Sequence, residues 1–409
     1  MLSSDISDKS FNELFSSIFI KNRAINCVKS PEKNKNKVIR ETLAKNGLAD
    51  VSVNHAHLLI SDLQHGPFQQ FIDGSIKFDF LGKKDFNLIG HTHPLHIKDQ
   101  ISKLMVNQVD LKELIESLTK SSELRLKHIA NTFSEISMKA KAVLSNFNKI
   151  VTFPNSFCDL VDFDNDSIIY LNEQDTNEQI QTKLESLSDD DSVLFALEIQ
   201  NERTFNLNQH TIIKNLANWA IDHHFSIWIN ETYGFGRHKE FIQSFNKDMG
   251  INPNFLTCGN DLIGYYFLDR DSEHKFSSNP NLTDKVTKNA FSTINFLSAG
   301  KFWGENGRIS IIEKSITNKL SQLKSQFTDF DLNYSVSGNM VHLQIFNNDS
   351  TKIKQLSIEL FHQGILVGLE KSHGKWIRFK LPTSLKNEHF DIIEKVFNNS
   401  LNSTTTNKV

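Results

Sequence analysis

The stretch NETYGFGRHKEF, residues 230–241, follows the apolar run FSIWI at 225–229. A continuous apolar run of that length reads as a strand covered on both faces, the pattern of a parallel sheet. The run ends on a polar pair, Asn230-Glu231, and then turns through Gly234 and Gly236 onto Arg237. In open α/β sheets, ligands bind beyond the carboxyl ends of the strands. A polar pair at such an end is therefore a candidate ligand contact.

The same texture extends on both sides. KIVTF (149–153), SIIYL (167–171), VLFALEIQ (193–200), NFLTC (254–258) and IGYYFL (263–268) are further strand candidates. HTIIKNLANWAIDHH (210–224) has the spacing of an amphipathic helix between two of them. Strands spaced by helices predict an α/β fold with a mainly parallel sheet covered on both faces. Residues 98–147 carry helical spacing, with Leu111, Leu114, Ile115 and Leu118 on one face. FIDGSIKFDFLG (71–82) reads as a hairpin turning at Asp73-Gly74. Beyond Phe302 the pattern changes to a helix (IIEKSITNKLSQLKSQF), alternating strands (NMVHLQIF), another helix and a closing strand (KWIRFKL), the makings of a smaller α+β domain. Residues 1–60 are polar, with SPEKNKNK reading as a solvated loop, and the last residues, LNSTTTNKV, read as frayed.

The chain has 409 residues, enough for one large domain and a smaller one. It is 38% hydrophobic and 23% charged, with net charge -3 and signs mixed throughout. No basic stripe marks a nucleic-acid face. The apolar stretch LFSSIFI is too short for a signal or a membrane span. Cys27, Cys158 and Cys258 lie far apart without metal spacing, which reads as reduced thiols in the cytoplasm.

Taken singly, the motifs are weak. Gly234-Phe-Gly236-Arg is an incomplete dinucleotide loop, since residue 239 is Lys. His91-Thr-His93 and His223-His224 have no third metal ligand at sensible spacing. No G-x-S-x-G elbow is present. Several other motifs fall at strand ends: Phe153 to Phe157 after KIV, Glu198 ending VLFAL, Asn230-Glu231 after FSIWI, and Cys258-Gly259-Asn260 after NFLT.

Their order carries more than any one of them. Asp73-Gly74 with FDFLG resembles D-G-x-x-Y-x-D-F-x-x-G, and Asn87 to Pro94 resembles N-x-G-H-x-H-P. Thr132-Phe133-Ser134-Glu135 stands where S-G-[ST]-E opens a helix. Val151 to Phe157 resembles a strand ending in an aromatic that stacks on a cofactor, and Ala196-Leu-Glu198 resembles V-E-P. Asn230 to Arg237 resembles D-E-V-Q-T-G-F-G-R, one residue shorter. Gly250 to Asn260 resembles G-V-x-P-D-I-V-T-x-x-K, and Phe276 to Pro280 resembles F-[SG]-G-N-P. Gly304 to Arg308, Gly364 to Gly368 and Trp376 to Pro382 resemble a small-domain pattern. From about residue 71 to 395 the chain resembles the class III aminotransferases, the ornithine and 4-aminobutyrate aminotransferase family of pyridoxal-phosphate (PLP) fold type I.

That resemblance implies a large domain with a mainly parallel seven-stranded sheet flanked by helices, plus a small α+β domain. The expected division is residues 1–95 contributing to the small domain, 96–300 forming the large domain, and 301–409 completing the small one. It implies PLP as cofactor, with Ser134, Phe157, Glu198, Asn230 and Lys275 at the cofactor site and Arg378 where a substrate carboxylate is held. It also implies a site built across a dimer.

The departures decide what the resemblance means for activity. PLP chemistry needs a Schiff-base lysine, a carboxylate facing the pyridine nitrogen, and donors at a helix N-terminus for the phosphate. The lysine position falls on Asn260, which has no amine. The aspartate position falls on Asn230, a neutral amide that cannot raise the ring nitrogen's pKa as a charge would. The one-residue shortening at Thr232-Tyr233 leaves open whether Glu231 takes that place instead. The phosphate-loop glycine is Phe133, and the threonine offered by the neighbouring subunit is Lys275. The His-Gly after the stacking aromatic is Cys158-Asp159, and only fifteen residues separate Asn260 from Phe276.

These losses together imply a catalytically inactive homologue whose cofactor is lost or held non-covalently. It would act by dimerisation or regulation, as a homodimer or as a heterodimer with an active paralogue. The alternatives are a PLP- or PMP-dependent enzyme using His91, His93 or Lys275 as base, and a binding protein for a small anion held by Arg378 and Lys275. Neither nucleic acid nor membrane is expected as a partner.

Overall fold

The computed structural model describes residues 27–30, 60–71, 74–82, 88–91, 108–119, 121, 123–154, 156–157, 167–172, 175, 177–185, 187, 192–200, 209–245, 249–270, 294, 300–370 and 374–406. Its centre is a seven-stranded sheet. The strands, in chain order, are β4 (Arg125–Ala130), β5 (Lys149–Thr152), β6 (Ile168–Tyr170), β7 (Val193–Glu198), β8 (Ser226–Glu231), β9 (Phe255–Asn260) and β10 (Gly264–Asp269). They lie in the order β4-β10-β9-β8-β7-β5-β6. β10 runs antiparallel to both of its neighbours, while the pairs from β9 across to β6 are parallel.

Helices α1 (Gln108–Leu118), α2 (Phe133–Leu144), α3 (Asn177–Leu184) and α4 (Gln209–Asp222) flank this sheet. The reason is legible in β7, where all six residues of VLFALE are buried and both faces therefore need cover. Phe195 and Leu197 join one apolar cluster with Ile213 and Ala217 of α4. Leu194 and Ala196 join another with Ile136 and Ala140 of α2.

Two smaller sheets complete the molecule. One joins β1 (Ile60–His65), β2 (Phe68–Phe71), β3 (Ile76–Asp79) and β13 (Ile365–Leu366). The other orders β11 (Asn333–Ser337), β12 (Met340–Gln344), β15 (Ile377–Lys380) and β14 (Gly368–Leu369). Helices α5 (Arg308–Gln326), α6 (Ser350–Gln363) and α7 (Asn387–Thr406) pack with them. One apolar cluster unites Phe68, Phe78 and Phe80 with Ile312, Leu356 and Phe379, so residues near both chain ends share one core. Lys29 adds to it, exchanging backbone hydrogen bonds of 2.9 Å with Ile76.

The six expected strand runs of the large sheet are all strands. The hairpin of residues 71–82 forms between β2 and β3, with Gly74 at φ +79. Asp73 lies outside the described residues. Two expectations fail. The helical reading of 98–147 hid β4, because RLKHIA mixes Leu126 and Ile129 with Arg125, Lys127 and His128 and shows no continuous apolar run. The tail expected to fray is helical through Thr406, since Leu401 is 1% exposed and anchors the last turns of α7 in the core.

Candidate functional site

The carboxyl ends of β7, β8 and β9 lie side by side. Asn230 pairs across the ladders with Glu198 on one side and Thr257 on the other. Its side chain is 2% exposed. Asn230 Nδ2 donates to Glu198 Oε1 at 2.8 Å, and Glu198 Oε2 accepts from the Phe157 amide at 3.3 Å. A carboxylate can only accept, so this bond fixes the amide orientation and turns Oδ1 outward as an acceptor. Oδ1 is buried and has no hydrogen-bond partner among the described residues.

Glu231, the next residue, faces the other way, as strand alternation requires. Its two oxygens accept from the backbone amides of Gln243 and Ser244 at 2.6 and 2.7 Å. Burial raises its pKa, against the pull of those hydrogen bonds. Asn230 is thus the member of the pair beside Glu198, and Glu231 ties down the loop that follows.

Asn260 closes β9. Only three residues, 261–263, separate β9 from β10. Asn260 Oδ1 accepts from Leu262 N at 3.0 Å and Ile263 N at 3.1 Å, an Asx cap on this tight turn. Its Nδ2 is buried without a partner among the described residues. Gly259 precedes it at φ +115, and a β-carbon there would run into the Gly264 carbonyl of the facing strand.

The first turn of α2 approaches the same region. Thr132 caps the helix by accepting from Glu135 N at 3.2 Å, and Ser134 is exposed on that turn. Phe133 packs edge-on against Tyr265 of β10, with ring centroids 6.1 Å apart. Tyr265 in turn donates its hydroxyl to Asp261 in the β9–β10 turn at 3.0 Å. The two rings therefore link the first turn of α2 to the β9–β10 turn. Phe157 is 2% exposed, and its ring meets Trp228 edge-on at 4.5 Å.

The structure thus brings Phe157, Glu198 and Asn230 together, with Ser134 on the nearby helix turn, while Asn260 closes the neighbouring strand on the face shared by Cys258 and Glu231. Arg378 is placed differently. It lines a cavity of about 310 Å³ with Lys354, Ser357, Phe361 and Gly368, and none of the strand-end residues lines that cavity. Lys275 and His93 lie outside the described residues. Among the described residues, no group of three or more His, Cys, Asp or Glu could hold a metal ion. No described helix is long and apolar enough to cross a membrane. His91 is engaged with Asp79 Oδ2 at 2.8 Å.

The glycines after Asn230 serve a seam between the large sheet and the small ones. A β-carbon on Gly234 would strike the His238 ring, and Gly236 sits at φ +74. Asn339 N donates to the Arg237 carbonyl at 2.9 Å, and His238 Nδ1 lies 3.0 Å from Ser337 Oγ. Tyr233 reaches His342 of β12 at 3.0 Å.

Tyr265 and Trp228 are site neighbours that sequence reasoning missed. The signal for Tyr265 was available: alternation along IGYYFL puts it on one face with Phe267 and opposite Tyr266. The apolar clusters divide these residues the same way.

No protein-family model matches the sequence, and no curated protein does either. Solved structures do. Ornithine δ-aminotransferase of Plasmodium falciparum superposes with a TM-score of 0.70 at 16% identity, over 90% of this chain and 99% of that one. Acetylornithine aminotransferase of Elizabethkingia anophelis gives 0.68 at 17% identity, over 91% and 100%. Ornithine aminotransferase of Toxoplasma gondii ME49 gives 0.66 at 13% identity, over 89% and 98%. At these identities the likeness establishes architecture: this chain has the PLP fold-type-I fold of the class III aminotransferases.

Proposed function

We propose that this chain is a catalytically inactive homologue of the class III aminotransferases that acts by association, with a second copy of itself or with an active paralogue. One observation carries the reading. The position that resembles the Schiff-base lysine is Asn260, and its side chain is occupied in capping a three-residue turn. An amide has no amine to condense with an aldehyde. PLP would have to be held at two ends, its ring and its phosphate. At the ring end, Asn230 Oδ1 is an orphaned acceptor and suits an N–H. At the phosphate end, Phe133 stands at the first position of α2, where the family pattern has glycine, and packs against Tyr265. The residues present do not fit the whole group.

The test is to incubate the purified protein with excess PLP, desalt, treat with borohydride and map adducts by mass spectrometry. No lysine adduct is expected. A stoichiometric adduct on one lysine would overturn the proposal. Association has its own readout: the chain should sediment as a dimer, or pull a transaminase-active paralogue from its native cell. A monomer that captures no paralogue would remove that part of the reading.

A second reading, an enzyme holding PLP or PMP non-covalently, is favoured by the orphaned Asn230 Oδ1 alone. Turnover of an amino donor with bound cofactor and no lysine adduct would move the assignment there.

A further inference from the structure

We infer that the cavity at the seam between the large sheet and the small ones binds a small zwitterion of the α-amino acid class, its ammonium on Glu313 and its carboxylate on Lys214 and Lys239. The site is independent of the strand ends: none of Phe157, Glu198, Asn230 and Asn260 lines this cavity.

The cavity has a volume of about 440 Å³, ample for a small polar molecule. Several elements meet around it. α4 gives Lys214, the segment after β8 gives His238, Lys239 and Gln243, α5 gives Glu313, and β11 ends on Ser337. The walls are held by bonds already in place. Gln243 donates its backbone amide to Glu231 at 2.6 Å and its side-chain amide to Ser337 Oγ at 3.2 Å. His238 Nδ1 lies 3.0 Å from the same hydroxyl. The Lys239 carbonyl accepts from the Gly304 amide at 2.7 Å, just ahead of α5. A cavity framed in this way keeps its shape, so a ligand loses little free energy in ordering it.

Charge then selects the ligand. Two lysines and one carboxylate line the cavity. The Glu313 side chain is 19% exposed and that of Lys239 42%, so the acid lies inside and the lysine at the mouth. Lys239 Nζ stands 3.5 Å from Glu313 Oε2, longer than a charge-assisted hydrogen bond. Oε2 is buried and has no hydrogen-bond partner among the described residues. Burial raises the Glu313 pKa, against the pull of Lys239 and the Gly338 amide. A buried carboxylate oxygen without a donor is costly, and a ligand ammonium would offset that cost.

A cation alone would meet two lysines, and an anion alone would meet Glu313. A zwitterion meets neither conflict. In an α-amino acid the nitrogen and a carboxylate oxygen stand about 3 Å apart, close to the spacing of the Glu313–Lys239 pair. The two pairs of charges can therefore lie head to tail, and Lys214 adds a second cation for the carboxylate.

The probes are pipecolate, piperidine and tetrahydropyran-2-carboxylate. They share one ring size and carry both charges, only the positive and only the negative. Pipecolate is a secondary amine and no amino donor for transamination, which keeps the readout apart from the strand-end site. Each is titrated into the full chain by calorimetry. Pipecolate should bind at least about tenfold tighter than either single-charge probe. Glu313→Gln, which keeps the shape and removes the charge, should erase most of that advantage. Equal or tighter binding of either single-charge probe, or binding of none, would overturn the inference, and both outcomes are read on the unmodified chain. Pipecolate binding kept in Glu313→Gln and lost in Arg378→Met would place the ligand in the Arg378 cavity and overturn it as well.

Discussion

The seam that follows β8 and the strand-end site that β8 helps to form begin at adjacent residues, yet do different work: the first ties the large sheet to the small ones, and the second sets polar side chains at the ends of neighbouring strands. On the seam side, Glu231 accepts from two amides, Arg237 and His238 bridge to the small sheets, and glycines stand where β-carbons would collide. At the strand ends, Asn230 and Asn260 each leave one buried polar atom without a partner among the described residues, as Asn339 does on the seam. The first region is what the fold needs in order to close. The motifs retained from the family pattern sit mostly in the first, and the departures mostly in the second.

The largest expected effect breaks the seam. Gly338 sits at φ +61, and a β-carbon there would run into the Arg237 carbonyl. Gly338→Ala should destabilise the chain by about 3 kcal/mol, read from the urea midpoint. A variant within experimental error of the parent would show that the seam is not close-packed.

Next comes Glu231→Ala, which strips two buried amides of their acceptor and should cost about 2 kcal/mol. Glu231 also sets a pH dependence. Its folded pKa is raised by burial, so the folded state binds the proton more readily than the unfolded one. Stability should therefore fall as pH rises from the ordinary carboxylate value through the raised folded value. Glu231→Gln should flatten that slope in a pH series of thermal melts, and an unchanged slope would assign it to another group.

A smaller effect belongs to the strand ends. Asn260→Ala removes one turn cap and should cost about 1 kcal/mol. A loss as large as that of Glu231→Ala would erase the contrast between the two regions. Outside both, Lys319 of α5 bridges Asp391 and Glu394 of α7 at 3.0 and 2.6 Å on the surface. Lys319→Met should change the unfolding free energy by less than about 0.5 kcal/mol, read from thermal melts.

The sequence made the large sheet legible because most of its strands are continuous apolar runs, which only burial on both faces explains. β4 was hidden because its cations interrupt that signal. Its partner, β10, comes from more than a hundred residues further along the chain. The site was half legible. The polar pair Asn230-Glu231 could be seen at a strand end, but which of the two faces Glu198 depends on register. The role of Asn260 depends on the length of a turn. The contact of Phe133 with Tyr265 joins a helix start to a strand remote in sequence, and no local pattern reports that.

The insertion of β10 between β9 and β4 also bears on how the chain comes off the ribosome. Residues 125–130 are synthesised long before residues 264–269, so β4 cannot take its place in the sheet until β10, its strand neighbour among the described residues, has emerged. At roughly 5–20 residues per second that delay lasts many seconds. An unpaired strand waiting that long is a template for aggregation. The charges of Arg125 and Lys127, which hid β4 from its sequence pattern, are the residue types that keep such an edge from pairing with another chain.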